Sequence, residues 1–412
     1  MVVPMRRNAL LLLVLALAGA CSPRSSQGPQ PLASSRWFAT WTASPSDAPA
    51  RPLRDSIDRT PTLYDQTLRL IVRTSIGGDT VRIRISNEYG DRPLVIGATH
   101  IAARTTGSSI DPATDRALTF SGRPSIRLRP GGVAFSDPVA FAAPALRDLA
   151  ISFHLPDSAR LSTRHALAVQ TNYVRRGNSA GARDFPADTN IYVWPFLVGV
   201  DVTNSAATGV ISAIGNSITD GAAATRDANT RWPNILAERL LMSGEPMKAV
   251  VNAGISGGRV LTYGSGPSAL ARFDRDVLMT PGLTHVILLE GINDIGRSAV
   301  DGVTADDIIA GYRQLIARAH DRGIVIIGGT LTPASPRTPF TAALEAKRVA
   351  VNAFVRNSGE FDGVIDFDRA TQDPANPTQF LPAYDSGDHL HPGDAGYRAM
   401  GEAIDLALFR RR

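Results

Sequence analysis

The chain has 412 residues, of which 43% are hydrophobic, so it is long enough to bury more than one core, and we expect two domains. Its formal net charge of +5 is small for this length. No cluster of lysine and arginine is interleaved with aromatic residues, which excludes the usual electrostatic footprint of a nucleic-acid-binding protein. We therefore expect no nucleic-acid partner.

The N-terminal segment is typical of an export signal. Arg6 and Arg7 precede an apolar run, residues 9–17, that is too short to span a bilayer. The small residues at positions 18–20 then fit a cleavage site. Residues 1–21 are therefore predicted to direct the chain out of the cytoplasm.

Cys21, the only cysteine of the chain, directly follows the predicted cleavage site. The segment resembles a bacterial lipoprotein signal, in which this cysteine is lipidated, although Ala18 stands where that pattern usually has leucine. Ordinary cleavage and release of a soluble secreted protein is the alternative. We expect an exported protein, either a cell-envelope lipoprotein tethered to the membrane through Cys21 or a periplasmic or secreted one. In neither case is a disulfide within the chain expected.

Residues 22–36 are rich in proline and serine and have no apolar period, which predicts a flexible linker. From residue 37 to 204, short β-prone runs alternate with proline, glycine and aspartate, which predicts an all-β sandwich of the jelly-roll kind. A hairpin is predicted from strands 67–75 and 80–86 around the Gly-Gly turn of residues 76–79. The other strand candidates are residues 94–101, 125–128, 148–155, 167–173 and 191–200.

From residue 205 to 412 the pattern changes to alternating strands and helices. Five βα units predict a parallel sheet covered by helices on both faces, which is a three-layer α/β/α domain. The predicted strands are residues 210–214, 249–252, 285–290, 324–328 and 363–367, and the predicted helices are residues 232–242, 267–277, 305–322, 342–357 and 394–408.

The polar residues that suggest chemistry follow the ends of these strands, at the edge where open α/β sheets form their sites. Ser217 follows the first strand and lies between Gly215 and Gly221. The freedom of these glycines permits a tight turn that lifts the serine hydroxyl above the strand end. Ser217 is therefore a candidate nucleophile, and an N-cap of the following helix is the alternative.

Two further segments follow the second and third strands. Gly257 lies in a Gly-Ile-Ser-Gly-Gly sequence, in which a backbone N–H can approach a substrate oxygen closely. Asn293 follows Gly291 and offers a carboxamide donor at the same rim. An ordinary turn and an ordinary strand cap are the alternatives for these two segments.

Asp388 and His391 follow the fifth strand and precede the last helix. Their spacing lets the carboxylate accept a hydrogen bond from one ring nitrogen while the other nitrogen faces a serine hydroxyl. His389 is the competing base, but its adjacency to Asp388 makes the same hydrogen bond awkward. His391 is therefore the predicted general base.

Together, Gly215-x-Ser217, the Gly257 turn, Gly291-x-Asn293-Asp294 and Asp388-x-x-His391 resemble the four sequence blocks of the SGNH (GDSL-type) esterase/lipase family. The resemblance covers residues 209–408, and the blocks occur in the family's order. It implies that Ser217, Asp388 and His391 form a catalytic triad. It also implies an oxyanion hole made of Ser217, Gly257 and Asn293.

One position departs from the family pattern, since Asn216 stands where the family usually has aspartate. The asparagine keeps the shape of the side chain but removes its charge, so any electrostatic role of that position is in doubt. The segments around Glu290 and at residues 384–388 most resemble the branch of the family that includes xylan-esterase-like proteins.

The resemblance implies a serine carboxylic-ester hydrolase that acts through an acyl-enzyme, with no metal and no cofactor. Export and an added β-sandwich suit short acyl esters, acetyl above all, including acetylated carbohydrates, while lipids and other small esters remain open. A lipase or an acyltransferase with the same triad is an alternative, and so is a glycan-binding protein with a degenerate α/β half. The sequence leaves the oligomeric state open.

Overall fold

The computed structural model describes residues 1–2, 36–47, 61–337 and 340–410. Cys21 and nearly all of the predicted export signal and linker lie outside these residues, so the structure says nothing about them. Within the described ranges, no helix is both long enough and apolar enough to cross a membrane.

The first half of the described chain is built of β-strands, with a 3-10 turn at Pro112–Thr114. In chain order the strands are β1 (Trp37–Thr42), β2 (Ser46–Asp47), β3 (Thr62–Leu63), β4 (Gln66–Arg73), β5 (Gly78–Ser86), β6 (Leu94–Ile96), β7 (Thr99–Ala103), β8 (Arg116–Leu118), β9 (Ile126–Leu128), β10 (Val133–Phe135), β11 (Val139–Ala143), β12 (Asp148–Leu155), β13 (Ala159–Arg160), β14 (Thr163–His165), β15 (Asn172–Arg176), β16 (Thr189–Ile191), β17 (Trp194–Pro195) and β18 (Leu197–Thr203).

Two antiparallel sheets dominate this half. One has the order β1-β18-β5-β10, with β11 also paired to β5, and the other has the order β16-β15-β4-β12-β7-β8. Val81, Ile83 and Ile85 of β5 are fully buried, whereas the arginines between them pair with Asp201 on β18. The apolar faces of both sheets contribute to one core. The predicted all-β region is confirmed, and it is a sandwich.

The predicted hairpin is wrong, because its two strands lie in different sheets. β4 pairs with β12 and β15, whereas β5 pairs with β18, β10 and β11. Every residue from Thr67 to Val72 is buried, so β4 is a central strand with a partner on each edge. The connection between the sheets is held by Thr40 on β1, whose hydroxyl accepts hydrogen bonds from the N–H groups of Ser75 and Ile76.

Other strand predictions differ in their boundaries. The candidate at residues 94–101 is broken at Gly97, whose N–H donates to the carbonyl of His154 at 2.8 Å, and its two parts join different sheets. The candidate at residues 191–200 is divided among the end of β16, β17 and β18, and the one at residues 167–173 begins only at Asn172. The candidate at residues 148–155 coincides with β12.

The second half alternates strands and helices. They are β19 (Gly209–Gly215), α1 (Ser217–Asp220), α2 (Trp232–Met242), β20 (Lys248–Gly254), α3 (Ala269–Phe273), β21 (Leu283–Leu289), α4 (Ile292–Asp301), α5 (Ala305–His320), β22 (Val325–Gly329), α6 (Ala342–Asn357), β23 (Gly363–Ile365), α7 (Phe367–Thr371), β24 (Gln372–Asp373), β25 (Asn376–Phe380) and α8 (Asp394–Glu402).

Five parallel strands in the order β20-β19-β21-β22-β23 form the sheet of this half, which confirms the predicted parallel α/β fold. The second strand in sequence lies on one side of β19 and the third lies on the other. The carboxyl ends of β19 and β21 therefore flank the topological switch point, where doubly wound sheets bind ligands.

Helix predictions were accurate where the apolar period is long, since α2 and α6 have the predicted ends. The predicted helix at residues 267–277 is shorter and continues as a π-helical turn, Asp274–Leu278. The predicted last helix ends at Glu402 and is followed by a 3-10 turn, Leu406–Phe409. Helix α4 was not predicted.

The sandwich packs directly against the parallel sheet. Val210 on β19 and Ala249 and Val251 on β20 are buried in the sandwich core. The N–H of Val250 donates to Ser75 Oγ at 3.2 Å. The all-β half therefore covers part of the sheet that the sequence had assigned to helices.

Candidate active site

Ser217 lies at the switch point, directly after β19. A Cβ at Gly215 would lie 2.2 Å from Thr219 Oγ1, so the turn into α1 requires glycine there. Asn216 is the N-cap of this helix, because its Oδ1 accepts a hydrogen bond from the N–H of Ile218 at 3.0 Å. Since Asn216 caps the helix, the Ser217 hydroxyl is not used for that purpose. The N-cap alternative for Ser217 is therefore wrong.

His391 is brought to Ser217 by the loop that precedes α8. Its Nε2 lies 2.8 Å from Ser217 Oγ, and its Nδ1 lies 2.5 Å from Asp388 Oδ2. A carboxylate accepts hydrogen bonds, so Nδ1 carries the proton in the neutral ring and Nε2 is left to accept from the serine hydroxyl. The three side chains are thus joined by two consecutive hydrogen bonds, Ser217 to His391 and His391 to Asp388.

Asp388 is fixed by the backbone of its own turn. Its Oδ1 accepts hydrogen bonds from the N–H groups of Leu390 at 2.9 Å and His391 at 2.8 Å. Partial burial acts to raise the pKa of Asp388, but these N–H groups and the His391 ring outweigh it and lower the pKa to about 2. The carboxylate is therefore ionised throughout the range in which a histidine base operates.

The competing histidine has a different partner. His389 Nδ1 lies 2.5 Å from Asp385 Oδ2, and its backbone has a φ of +59°. Its side chain is 46% exposed, compared with 16% for His391. Ser217 contacts His391 and not His389.

Gly257 lies in the loop after β20, in a conformation with φ of +74°. A Cβ at this position would lie 2.4 Å from Ser265 Oγ, so a larger residue is excluded by both backbone strain and space. The N–H of Ile255 donates to the carbonyl of Gly215 at 2.9 Å, which ties this loop to the turn that carries Ser217. Across the described part of the chain, no acceptor occupies the N–H groups of Ser217 and Gly257.

Asn293 lies on the first turn of α4 and contacts the same loop. Its Nδ2 donates to the carbonyl of Gly258 at 2.9 Å, and a carboxamide has a second N–H that is left to donate elsewhere. The next residue, Asp294, accepts hydrogen bonds from the N–H groups of Val260 at 2.9 Å and Leu261 at 3.1 Å. The first turn of α4 therefore holds the far side of the Gly257 loop.

Two residues of this site were not predicted from the sequence. Asp220, at the end of α1, accepts hydrogen bonds at Oδ2 from the N–H and the hydroxyl of Ser256, at 2.9 and 2.8 Å. Its Oδ1 lies 2.8 Å from Nε2 of His165, which belongs to the sandwich. The position of Asp220 three residues after Ser217 was the one available signal, and nothing in the sequence links it to His165.

The described residues contain no group of three or more His, Cys, Asp or Glu side chains arranged to hold a metal ion. The site as described consists of a hydroxyl, an imidazole, a carboxylate and several N–H donors. These groups are the parts required for acyl transfer through a serine nucleophile.

Comparison with known proteins gave one family match. Residues 213–399 match the GDSL-like Lipase/Acylhydrolase family. A comparison with curated proteins found no match.

The chain is also similar to several solved structures. One is an α/β hydrolase enzyme from the metagenome of Lake Arreo, Spain, at 22% identity over 50% of this chain and 97% of that chain, with a TM-score of 0.39. A second is a GDSL-like lipase from Bacteroides thetaiotaomicron VPI-5482, at 18% identity over 49% and 89% of the chains, with a TM-score of 0.38. A third is an acetylxylan esterase from Geobacillus stearothermophilus, at 21% identity over 50% and 96%, with a TM-score of 0.38.

Proposed function

We propose that the protein is a carboxylic-ester hydrolase, because residues 213–399 match the GDSL-like Lipase/Acylhydrolase family, and that Ser217, His391 and Asp388 catalyse its reaction through an acyl-enzyme. The observation that carries this proposal is the 2.8 Å contact between Ser217 Oγ and His391 Nε2, with Asp388 on the other ring nitrogen.

In the first step Ser217 Oγ attacks the carbonyl carbon of the ester while its proton passes to His391 Nε2. The imidazolium is stabilised by the Asp388 carboxylate. His391 then gives this proton to the alcohol oxygen, the bond between the carbonyl carbon and that oxygen breaks, and the acyl group remains on Ser217.

The tetrahedral intermediate carries negative charge on the former carbonyl oxygen. We assign its stabilisation to the N–H groups of Ser217 and Gly257 and to the second Nδ2 hydrogen of Asn293. These donors are held in place before the reaction, because Asn293, Asp294 and Asp220 bind the Gly257 loop. Preorganised donors stabilise the developing charge without reorganising during the step.

In the second step His391 removes a proton from water, which attacks the acyl carbon. The oxyanion collapses, Ser217 Oγ leaves and takes the proton back from His391, and the carboxylic acid is released. An acyltransferase would use an alcohol in place of this water.

We propose short acyl esters as substrates. A cavity of about 180 Å³ lies beside Asn293, and it is lined by Ile292, Gly296, Arg297, Arg337, Phe340, Leu344 and Leu390. Each further buried methylene of an acyl chain would contribute about 0.8 kcal/mol only where apolar surface continues to cover it. A small cavity with two charged side chains supports an acetyl group and a polar alcohol, such as an acetylated sugar, better than a long acyl chain.

Hydrolysis of 4-nitrophenyl acetate by the wild-type protein and by Ser217→Ala tests the function. The wild type should release nitrophenol in multiple turnovers, and the variant should fall to the background rate. A wild-type protein without turnover, but with retained glycan binding, would favour a degenerate binding protein. Equal activity of the two proteins would remove Ser217 from the mechanism.

Substrate class is tested with 4-nitrophenyl esters from acetyl to octanoyl and with acetylated xylan. We expect kcat/KM to be highest for acetyl. A steady rise toward octanoyl would identify a lipase instead. Product analysis with an added alcohol acceptor separates hydrolysis from acyl transfer, because a transferase would form a new ester.

We further propose that the protein is exported and carries a diacylglyceryl group on Cys21, which would tether it to a membrane. This proposal is supported by the N-terminal sequence alone. Mass spectrometry of the mature protein should find the modified cysteine at the N-terminus. An unmodified chain that begins at Cys21 would indicate ordinary signal cleavage.

A further inference from the structure

His165 belongs to the sandwich and is buried against the catalytic half of the molecule. His165 is 5% exposed, and Asp220, its partner, is 3% exposed. His165 Nδ1 lies 3.0 Å from the carbonyl of Ser44, and its Nε2 lies 2.8 Å from Asp220 Oδ1 and 3.1 Å from the carbonyl of Leu167. Both ring nitrogens therefore face acceptors.

A neutral imidazole has one N–H, so it can donate to one of these two sets of acceptors but not to both. Only the doubly protonated ring satisfies Ser44 and Asp220 together. Burial opposes the charge on His165, but the Asp220 carboxylate and the hydrogen bonds to Asp220 and Ser44 outweigh it and raise the pKa. The nearby charge of Arg231 acts in the opposite direction and lowers the pKa of His165.

Asp220 connects this histidine to the catalytic loop. One of its oxygens faces His165, and the other accepts both the N–H and the hydroxyl of Ser256, the residue before Gly257. Asp220 also belongs to the helical turn that begins with Ser217. Its carbonyl accepts from Arg231 Nε at 2.6 Å, and Arg231 in turn donates to the carbonyl of Ala168 in the sandwich.

We propose that His165 is a positioning residue of the active site: its imidazolium holds the Asp220 carboxylate, and Asp220 holds Ser256 so that the Gly257 N–H is aimed at the oxyanion. The sandwich thus acts in catalysis through this contact as well as through packing. This inference rests on the proposed function. A misplacement of the donor by about 1 Å is enough to reduce the rate of an enzyme by about 10²-fold.

The test uses the full chain with His165→Gln, whose amide can donate to one set of acceptors but carries no charge, and with Asp220→Asn. His154→Gln is the matched control, since His154 pairs with Asp65 at 3.0 Å within the sandwich and does not touch the catalytic loop. With 4-nitrophenyl acetate, both test variants should lose about 10- to 100-fold in kcat with little change in KM. The control should stay within about twofold.

Circular dichroism shows whether each variant is folded. A folded His165→Gln protein with wild-type kcat would overturn the proposal, and so would an equal loss in His154→Gln. A second measurement does not depend on activity: ¹H–¹⁵N NMR of histidine-labelled wild type should find protons on both ring nitrogens of His165 at pH 6.5, the ordinary pKa of histidine, because the pKa of His165 is raised above it. A singly protonated ring would overturn the proposal, even if esterase activity itself is absent.

A separate observation concerns the cavity beside Asn293. Its charged lining residues within the described part of the chain are Arg297 and Arg337, and none of the described lining residues is acidic. Neither guanidinium is bound by another side chain or carbonyl within the described residues. By contrast Arg259, on the neighbouring loop, pairs with Asp301 at 3.0 Å. Two exposed guanidinium groups at a cleft are suited to a carboxylate, which arginine binds through paired N–H donors.

We infer that this cavity takes a carboxylate carried by the substrate, either on the alcohol, as in an acetylated uronic acid, or on the acyl group, as in a half-ester of a dicarboxylic acid. This inference also rests on the proposed function. The apolar side chains of Phe340, Leu344 and Leu390 form the rest of the wall.

Two substrate pairs test this inference: acetylated glucuronic acid against acetylated glucose for the alcohol arm, and 4-nitrophenyl hemisuccinate against 4-nitrophenyl butyrate for the acyl arm. Wild type should prefer the acidic member of one pair at least about tenfold in kcat/KM. The preference ratio should fall toward one in Arg297→Gln and Arg337→Gln. It should be unchanged in Arg313→Gln, an exposed arginine that pairs with Glu360.

Equal rates on acidic and neutral esters in both arms would overturn the charge inference and leave esterase activity standing. A wild type that is inactive on all four esters would instead count against the proposed function. A preference that survives in both arginine variants would place the carboxylate elsewhere.

Discussion

The loop between β25 and α8 carries two histidine–aspartate pairs that can be compared directly. In each pair the histidine Nδ1 lies 2.5 Å from a carboxylate oxygen, of Asp385 for His389 and of Asp388 for His391. The two pairs differ at the other ring nitrogen, because Nε2 of His391 lies 2.8 Å from Ser217 Oγ. His389 has no such contact among the described residues.

The same comparison can be made for the other histidines of the molecule. The histidines at residues 100, 154, 165, 320, 389 and 391 each have a carboxylate oxygen within 3.0 Å. A histidine–acid pair is therefore an ordinary feature of this protein. The contact with a serine at the switch point of the sheet is what distinguishes His391, and the predictions below test that distinction.

The largest effect is expected from Ser217→Ala and His391→Ala. Each should lower kcat for 4-nitrophenyl acetate by roughly 10⁴- to 10⁶-fold, because loss of the nucleophile or of its base removes the covalent route. Thermal melts should show both variants folded, since neither side chain belongs to a hydrophobic core of the molecule.

His389→Ala is the internal control for this comparison. Its activity should stay within about threefold of wild type, because its ring is bound to Asp385 at the surface. If His389→Ala lost more activity than His391→Ala, His389 and not His391 would be the general base.

Asp388→Asn should have the next largest effect, a loss of about 10⁴-fold in kcat, because an amide favours the wrong tautomer of His391. Asp385→Asn, in the neighbouring pair, should have little effect. Since the pKa of Asp388 is lowered to about 2, protonation of Asp388 should not limit the rate above about pH 4. A mild Asp388→Asn effect would mean that other groups orient the ring.

Asn293→Ala should have an intermediate effect, a decrease in kcat of roughly 10²- to 10³-fold with a smaller change in KM. The reason is that its donor acts on charge that exists only in the transition state. Steady-state kinetics separates the two parameters, and an effect on KM alone would argue against an oxyanion role.

The smallest effect concerns stability and comes from Glu290, which is fully buried after β21. Burial, aided by Asp294 and opposed by Arg272, raises the pKa of Glu290 to about 8. The folded protein therefore keeps a proton that the unfolded chain loses above its ordinary pKa of about 4.5. The free energy of unfolding should fall as pH rises between these two values.

Urea unfolding of wild type and Glu290→Gln across this pH range checks the sign of the pH dependence. The free energy of unfolding of the variant should fall less steeply with pH than that of wild type. Glu360→Gln is the contrasting variant, because Arg313 lowers the pKa of this exposed carboxylate, and it should leave that slope in place. A slope that Glu290→Gln does not alter would show that Glu290 is ionised in the folded state.

The ends of a helix or strand were predictable where the residues of that element alone determine them. Helix α6 has the predicted ends because Thr341 caps it, accepting from the N–H of Leu344, ahead of a long apolar period. The hairpin prediction failed because the apolar runs of β4 and β5 identify them as strands without specifying which strands they pair with. Burial of β4 on both faces, and the contact of Thr40 with the connecting segment, depend on the whole sandwich.

The candidate site likewise contains residues that the sequence could identify and one that it could not. Ser217, Gly257, Asn293, Asp388 and His391 could be proposed because each follows a strand end, and parallel strands bring those ends to one edge. His165 could not be proposed. It lies 55 positions from Asp220 in the chain, in the other half of the molecule, and no periodic pattern specifies which loop of the sandwich meets α1.

The central claim is that Ser217 carries the acyl group. Rapid quenching of wild type with 4-nitrophenyl acetate, followed by peptide mass spectrometry, tests it most directly. We expect an acetyl group on the peptide that contains Ser217, and no acetyl there in His391→Ala quenched at the same time. Multiple turnovers by wild type with no label on Ser217, or with the label on another residue, would contradict the account.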